Sequence, residues 1–195
     1  MGKLEGRKGE RVHTRTLRID TFAVDDEHVI VEGSLEDTRH LPSYSLAQKA
    51  RPPARIHGMT VRLLIGGFPA RIVEAEAEMP EVPLEECRRA AESLNKLVGL
   101  YIVYGFTKEV KDRLDGVEGC SHLTSLVLTM GSAAIQGTAA HHARKPPAPE
   151  LAAGMLEYMK NTCCVWREDG PTYRRVREEV RAAMEGSGSS SGLSS

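Results

Sequence analysis

Hydrophobic and polar positions alternate through the first third of the chain and recur at helical spacing through the rest. Thr14 to Ala23 and Val29 to Thr38 both alternate, with Leu17 and Ile19, then Val29, Val31 and Leu35, recurring at period two. The acidic Asp25-Asp26-Glu27 between them suits a turn, so the pair predicts a first hairpin. Residues His40 to Pro53 carry three prolines and no period, which predicts a loop. Alternation returns from Ala54 to Ile65, placing His57, Met59, Val61, Leu63 and Ile65 on one face, with Thr60 and Arg62 on the other. Gly66-Gly67 then predicts a second hairpin turn. The return strand, Pro69 to Met79, sets Arg71, Val73, Ala75 and Ala77 against Ile72, Glu74, Glu76 and Glu78.

After Pro80 and Pro83 the period changes. Leu84, Cys87, Ala91, Leu94 and Leu97 or Val98 fall at helical spacing, and Gly99 ends that element. A short apolar run, Leu100 to Tyr104, precedes a polar helix from Thr107 to Leu114. From Cys120 to His141, Leu123, Leu126, Val127, Met130, Ala134 and Ile135 form a core-facing stripe, which predicts the central helix. Proline-rich Lys145 to Pro149 leads to amphipathic helices over Glu150 to Lys160 and Thr172 to Met184. The pattern therefore predicts an α+β fold: an antiparallel sheet of about four strands in two hairpins, packed by a helical C-terminal half. It reads as one domain over residues 1–185, with the sheet in 12–79, the helical part in 83–185 and a disordered tail in 186–195.

Composition narrows the function classes. A length of 195 residues is enough for one sizeable core. Lys plus Arg (26) nearly cancels Asp plus Glu (27), so the balance calls for neither nucleic acid nor an anionic membrane. The amino terminus lacks an apolar signal core and no window is long enough to span a bilayer, which predicts a cytoplasmic protein. Cys87, Cys120, Cys163 and Cys164 form no disulfide framework and read as free thiols or ligands. No P-loop, dinucleotide fingerprint or Gly-x-Ser-x-Gly elbow occurs.

The chemistry concentrates at Gly119-Cys120-Ser121-His122-Leu123, where a thiol and an imidazole stand at a helix start. Unpaired amides and the positive dipole end make that a place where thiolates and anions are held. Two enzymatic readings follow. In one, Cys120 is a nucleophile or acid/base group, with His57 or His122 shuttling a proton and Glu76 or Asp37 orienting an imidazole. In the other, His57, Glu76, Cys120 and His122 ligate a metal, with zinc the candidate ion, although no paired Cys-x-x-Cys or His-Glu-x-x-His is present. Against both stands a bland reading. Cys87 is core packing, His57 and His122 satisfy carbonyls, and Glu74, Glu76 and Glu78 are a solvated strand face partnered by Arg62.

Several of these segments, taken in order, resemble a known family. They are Glu36-Asp37-Thr38 at a strand end, Ile56-His57-Gly58-Met59, the acidic Glu74-Ala75-Glu76 strand, Pro83 with Cys87, Leu97-Val98-Gly99-Leu100, and Gly119 to Leu123. Over roughly Arg15 to Gln136 this set resembles the bacterial DUF2889 family, with Gly58 standing where the family carries an acidic residue. The resemblance implies a shared fold and a site near these motifs. The residues themselves point to a small cytoplasmic hydrolase or lyase acting on a small organic acid, acyl or aromatic substrate through a Cys/His/Glu site. The alternative is a non-catalytic ligand-binding or assembly module. A homodimer is a further expectation.

Overall fold

The period-two segments pair into one antiparallel sheet. In the computed structural model, which describes residues 2–188, these strands are β1 (His13–Ala23), β2 (His28–Arg39), β5 (Ala54–Gly66) and β6 (Arg71–Glu81), in the order β1-β2-β5-β6. Between the two hairpins, β3 (Ser43–Tyr44) and β4 (Ala50–Arg51) make a small ladder of their own inside the segment read as loop. Gly67, at φ +75°, turns β5 into β6 with a left-handed backbone that favours glycine. The chain then folds as α1 (Phe106–Leu114), α2 (Ser121–His142), α3 (Pro149–Met159) and α4 (Pro171–Gly188). The fold is α+β, as the periodicity predicts. The predicted tail lies outside the described residues, except where α4 runs on to Gly188.

Two compact units divide the chain, the first ending at His141 and the second beginning at His142. The sequence reading of one domain to residue 185 draws no such boundary. In the second unit α3 and α4 pair, with Leu156 and Tyr173 buried and the Tyr173 hydroxyl donating to Glu157 at 3.2 Å. Among the described residues no helix is long and apolar enough to cross a membrane.

One face of the sheet carries the core of the first unit. Val29, Val31 and Leu35 of β2 and Met59, Val61, Leu63 and Ile65 of β5 are buried with Leu123, Leu126, Val127, Met130 and Ala134 of α2. Each of these side chains larger than alanine contributes about 1.5–3 kcal/mol by leaving water. The sequence groups Ile72 with the glutamates of β6, but the β5–β6 ladder steps between Leu64 and Ile65. Val73 is the extra residue, so Ile72 stands opposite Ile65 and is fully buried.

Residues Glu85–Leu97 form a long 3₁₀ helix where the spacing predicts an ordinary helix. With three residues per turn, Ala91, Leu94 and Leu97 stack on the core, while Cys87, Ala90 and Ser93 form a neighbouring row. Past that segment, Gly99 to Ile102 bonds back to Ala70 and Ile72 of the β6 end, covering part of an otherwise open edge.

Helix α2 lies along the sheet because two small residues let it come close. A Cβ at Gly33 would stand 2.6 Å from Met130 Sδ and 3.1 Å from Leu126 Cδ1, and one at Gly137 would stand 2.2 Å from Thr21 Oγ1. The same path brings the amino end of α2 over the Asp37 end of β2. Gly33→Ala is expected to cost about 1–2 kcal/mol by overpacking. Chemical denaturation checks this, with the cost falling when Met130→Ala is added.

Candidate active site

Three strands put one row of polar side chains at the end of the core face. Arg15 of β1 and His57 of β5 are both register partners of Asp37 of β2, so the three side chains stand abreast on the face that carries Leu35 and Met59. The β2–β5 ladder steps just after Asp37, which ends the regular register at the site.

Asp37 is 1% exposed and is surrounded by donors. Arg15 grips it bidentately, with Nε on Oδ1 and a terminal nitrogen on Oδ2, both at 2.7 Å. His57 Nδ1 donates to Oδ2 at 3.0 Å, and His13 Nε2 lies 3.3 Å from Oδ1. A carboxylate offers about four lone-pair directions, and the hydrogen bonds from Arg15 and His57 take three of them. The Arg15 guanidinium, aided by His57, outweighs burial and holds the Asp37 carboxyl at a pKa of about 2.

The helix supplies the remaining groups. Cys120 immediately precedes α2: its amide donates to the Leu114 carbonyl at 3.0 Å and its own carbonyl accepts from Thr124 N at 2.9 Å. Gly119 is required there, because a Cβ would stand 2.4 Å from that Leu114 oxygen. Two residues on, His122 turns its ring onto His57 with centroids 3.8 Å apart, and its Nε2 lies 3.6 Å from Asp37 Oδ2. Its other nitrogen, Nδ1, is 3.7 Å from Cys120 Sγ. One imidazole thus spans the thiol and the buried carboxylate. In the tautomer with the proton on Nε2, facing Asp37, the Nδ1 lone pair is left for the thiol.

Both imidazoles are driven towards the neutral form. Burial lowers the pKa of His57, with the neighbouring His122 adding to the effect, and burial followed by the Arg15 charge lowers that of His122. A neutral His122 can accept a proton, and the imidazolium so formed would face Asp37.

Of the residues singled out in the sequence, Cys120, His122 and His57 come together and Glu76 does not. Glu76 is opposite Arg62 on the outer face of the sheet, and Arg62 bonds it at 3.1 Å, Glu78 at 2.6 Å and Glu32 at 2.6 Å. The acid at the site is Asp37. Sequence pattern alone misses Arg15 and His13, although it holds a signal: both continue the Leu17–Ile19 face of β1, where a polar residue needs a partner.

Asp37, His57 and His122 each offer a donor atom within 4.8 Å of the others, a separation a divalent ion can span. Cys120 and Glu76 are not in that group among the described residues. Arg15 already binds both oxygens of Asp37, so a metal would share its only carboxylate with a fixed cation. This favours an orienting anchor over a ligand.

On its outer side Cys120 lines a cavity of about 570 Å³ between the Glu85–Leu97 helix and the turn from Asp115 to Ser121. That is the size range of small-ligand sites. The family described as Protein of unknown function (DUF2889) matches residues 13–136, which contain every residue of the cluster and the cavity. Comparison with curated proteins and with solved structures finds no match.

Proposed function

Because the chain belongs to the DUF2889 family, whose description assigns no chemistry, its site has to be read from geometry, and we propose that it is a thiol-dependent hydrolase for small acyl substrates. The observation that carries this is the His122 ring, with Nδ1 3.7 Å from Cys120 Sγ and Nε2 3.6 Å from Asp37 Oδ2. In this arrangement Cys120 attacks the acyl carbon and its proton passes to His122 Nδ1. The protonated imidazole is stabilised by Asp37, which keeps its own charge, and then delivers the proton to the departing group. Water, deprotonated by the same nitrogen, cleaves the thioester to release the acid and restore the thiol. Arg15 holds Asp37 in place, and His57 packs against the face of His122. The first-turn amides of α2, which a helix start leaves without intrahelical partners, would be the donors for charge on the acyl oxygen.

A second reading, a binding or assembly module, is favoured by the burial of Asp37 and its three hydrogen bonds, since a carboxylate held in this way also suits a purely structural role. The rate of alkylation by iodoacetamide, followed at each cysteine by mass spectrometry, separates the two. Cys120 is expected to react faster than the exposed Cys163 and Cys164, and His122→Ala is expected to slow it by about tenfold or more. Glu76→Gln should leave the rate unchanged. Exhaustive chelation should do the same, whereas a chelator-sensitive rate would move the site to a metal held by Asp37, His57 and His122. A Cys120 that reacts no faster than the exposed thiols, with or without His122, sinks the enzyme reading.

A further inference from the structure

We propose that Arg89 sets the specificity of the cavity beside Cys120 by binding a carboxylate on a small, singly charged organic acid; this rests on the thiol-enzyme reading and names its substrate class. The Glu85–Leu97 helix makes one wall of the cavity, contributing Glu86, Cys87, Arg89, Ala90 and Ser93. Its three-residue turn places Glu86 and Arg89 on one row beside the row of Cys87, Ala90 and Ser93. Cys120 stands on the opposite wall.

Most charges in this region are already engaged. Asp115 accepts from the Gly116 amide at 3.1 Å, and Glu118 is bound by Lys96 at 2.7 Å. Arg88, next to Arg89, bonds Glu85 at 2.7 Å and the Pro80 carbonyl at 3.1 Å. Among the described residues, Arg89 and Glu86 alone on the cavity wall are charged side chains without a hydrogen-bond or ion-pair partner. A guanidinium presents a planar fork of donors that matches a carboxylate. Glu86, on the same row, repels a second negative charge. A substrate with one carboxylate therefore fits, with the anion at Arg89 and its acyl group reaching across to Cys120.

Iodoacetate and iodoacetamide test this without knowledge of the natural substrate. Each forms a bond from sulfur to carbon and expels iodide, and they differ chiefly in that iodoacetate carries a carboxylate. The ratio of the two rates at Cys120 should exceed the ratio at Cys163 and Cys164 in the same sample. Arg89→Ala should lower the Cys120 ratio by about fivefold, with the iodoacetamide rate of the same variant as the internal reference. Arg89→Lys should keep part of the preference, and Glu86→Gln should raise it. A ratio unmoved by Arg89→Ala, in a protein whose Cys120 still reacts rapidly with iodoacetamide, overturns the role of Arg89 and leaves the thiol chemistry standing. A Cys120 sluggish towards both reagents overturns both.

Discussion

Replacing Asp37 by alanine is expected to destabilise the first unit by about 2–3 kcal/mol and to remove the reactivity of Cys120. Breaking a buried ion pair from one side costs about 3–5 kcal/mol because the remaining charge has no partner. Arg15 keeps a third of its side chain in water, so the lower figure applies here. The His57 Nδ1–H loses its acceptor in the same step. Urea denaturation of the wild type, Asp37→Ala, Arg15→Ala and the double variant would measure the coupling. A double variant as unstable as the sum of the singles would contradict the pairing.

The same cluster sets the acid limb of stability. Asp37 titrates near 2 in the folded chain and near 3.9 when unfolded, so between those values the unfolded chain binds more protons. Its contribution, on the order of 2 kcal/mol, is complete above about pH 4 and is lost as pH falls towards 2. The two imidazoles act in the same direction at higher pH. Their folded pKa values lie below the unfolded value, so stability starts to decline as pH drops below about 6.5. A series of unfolding free energies against pH should show both steps in the wild type and only the upper one in Asp37→Ala.

The second large effect is expected at Gly119. Gly119→Ala would drive a methyl group to 2.4 Å from the Leu114 carbonyl oxygen, a backbone atom with little freedom to move. That oxygen accepts from the Cys120 amide and from the Thr124 hydroxyl, both at 3.0 Å. The turn must open, at a cost of about 1–3 kcal/mol, and Cys120 must leave the reach of His122 Nδ1. Thermal unfolding would register the first change and the iodoacetamide rate at Cys120 the second. If both stay at wild-type values, the tight turn does not position the thiol.

Much of this architecture is legible in the chain before folding. Alternation around Leu35 and Val61 locates both hairpins, and the stripe from Leu123 to Ala134 locates α2. The choice of acid is harder to read. Glu76 and Asp37 both sit in alternating strands near histidine-bearing segments, and which face each occupies depends on ladder steps at Asp37, Gly58 and Leu64. A one-residue step reverses every later side chain, and the pairing partner decides where it falls. For that reason simple alternation puts Ile72 on the glutamate face, whereas it is buried opposite Ile65. The division at His142 leaves a signal only just beyond it, in the proline-rich Lys145 to Pro149, which marks a bend between helices without showing that the units on either side are separately compact.

The cluster draws on positions 15, 37, 57, 120 and 122, so no short stretch of polypeptide can assemble it. A nascent chain on the ribosome must expose well over half its length before the last two arrive, and contacts that distant in sequence form late. Until then Cys120 is an ordinary cysteine. On the thiol-enzyme proposal, unfolded or truncated copies should therefore react only at the rate of ordinary thiols, and any faster reaction at Cys120 would double as a measure of how many molecules have reached the native state.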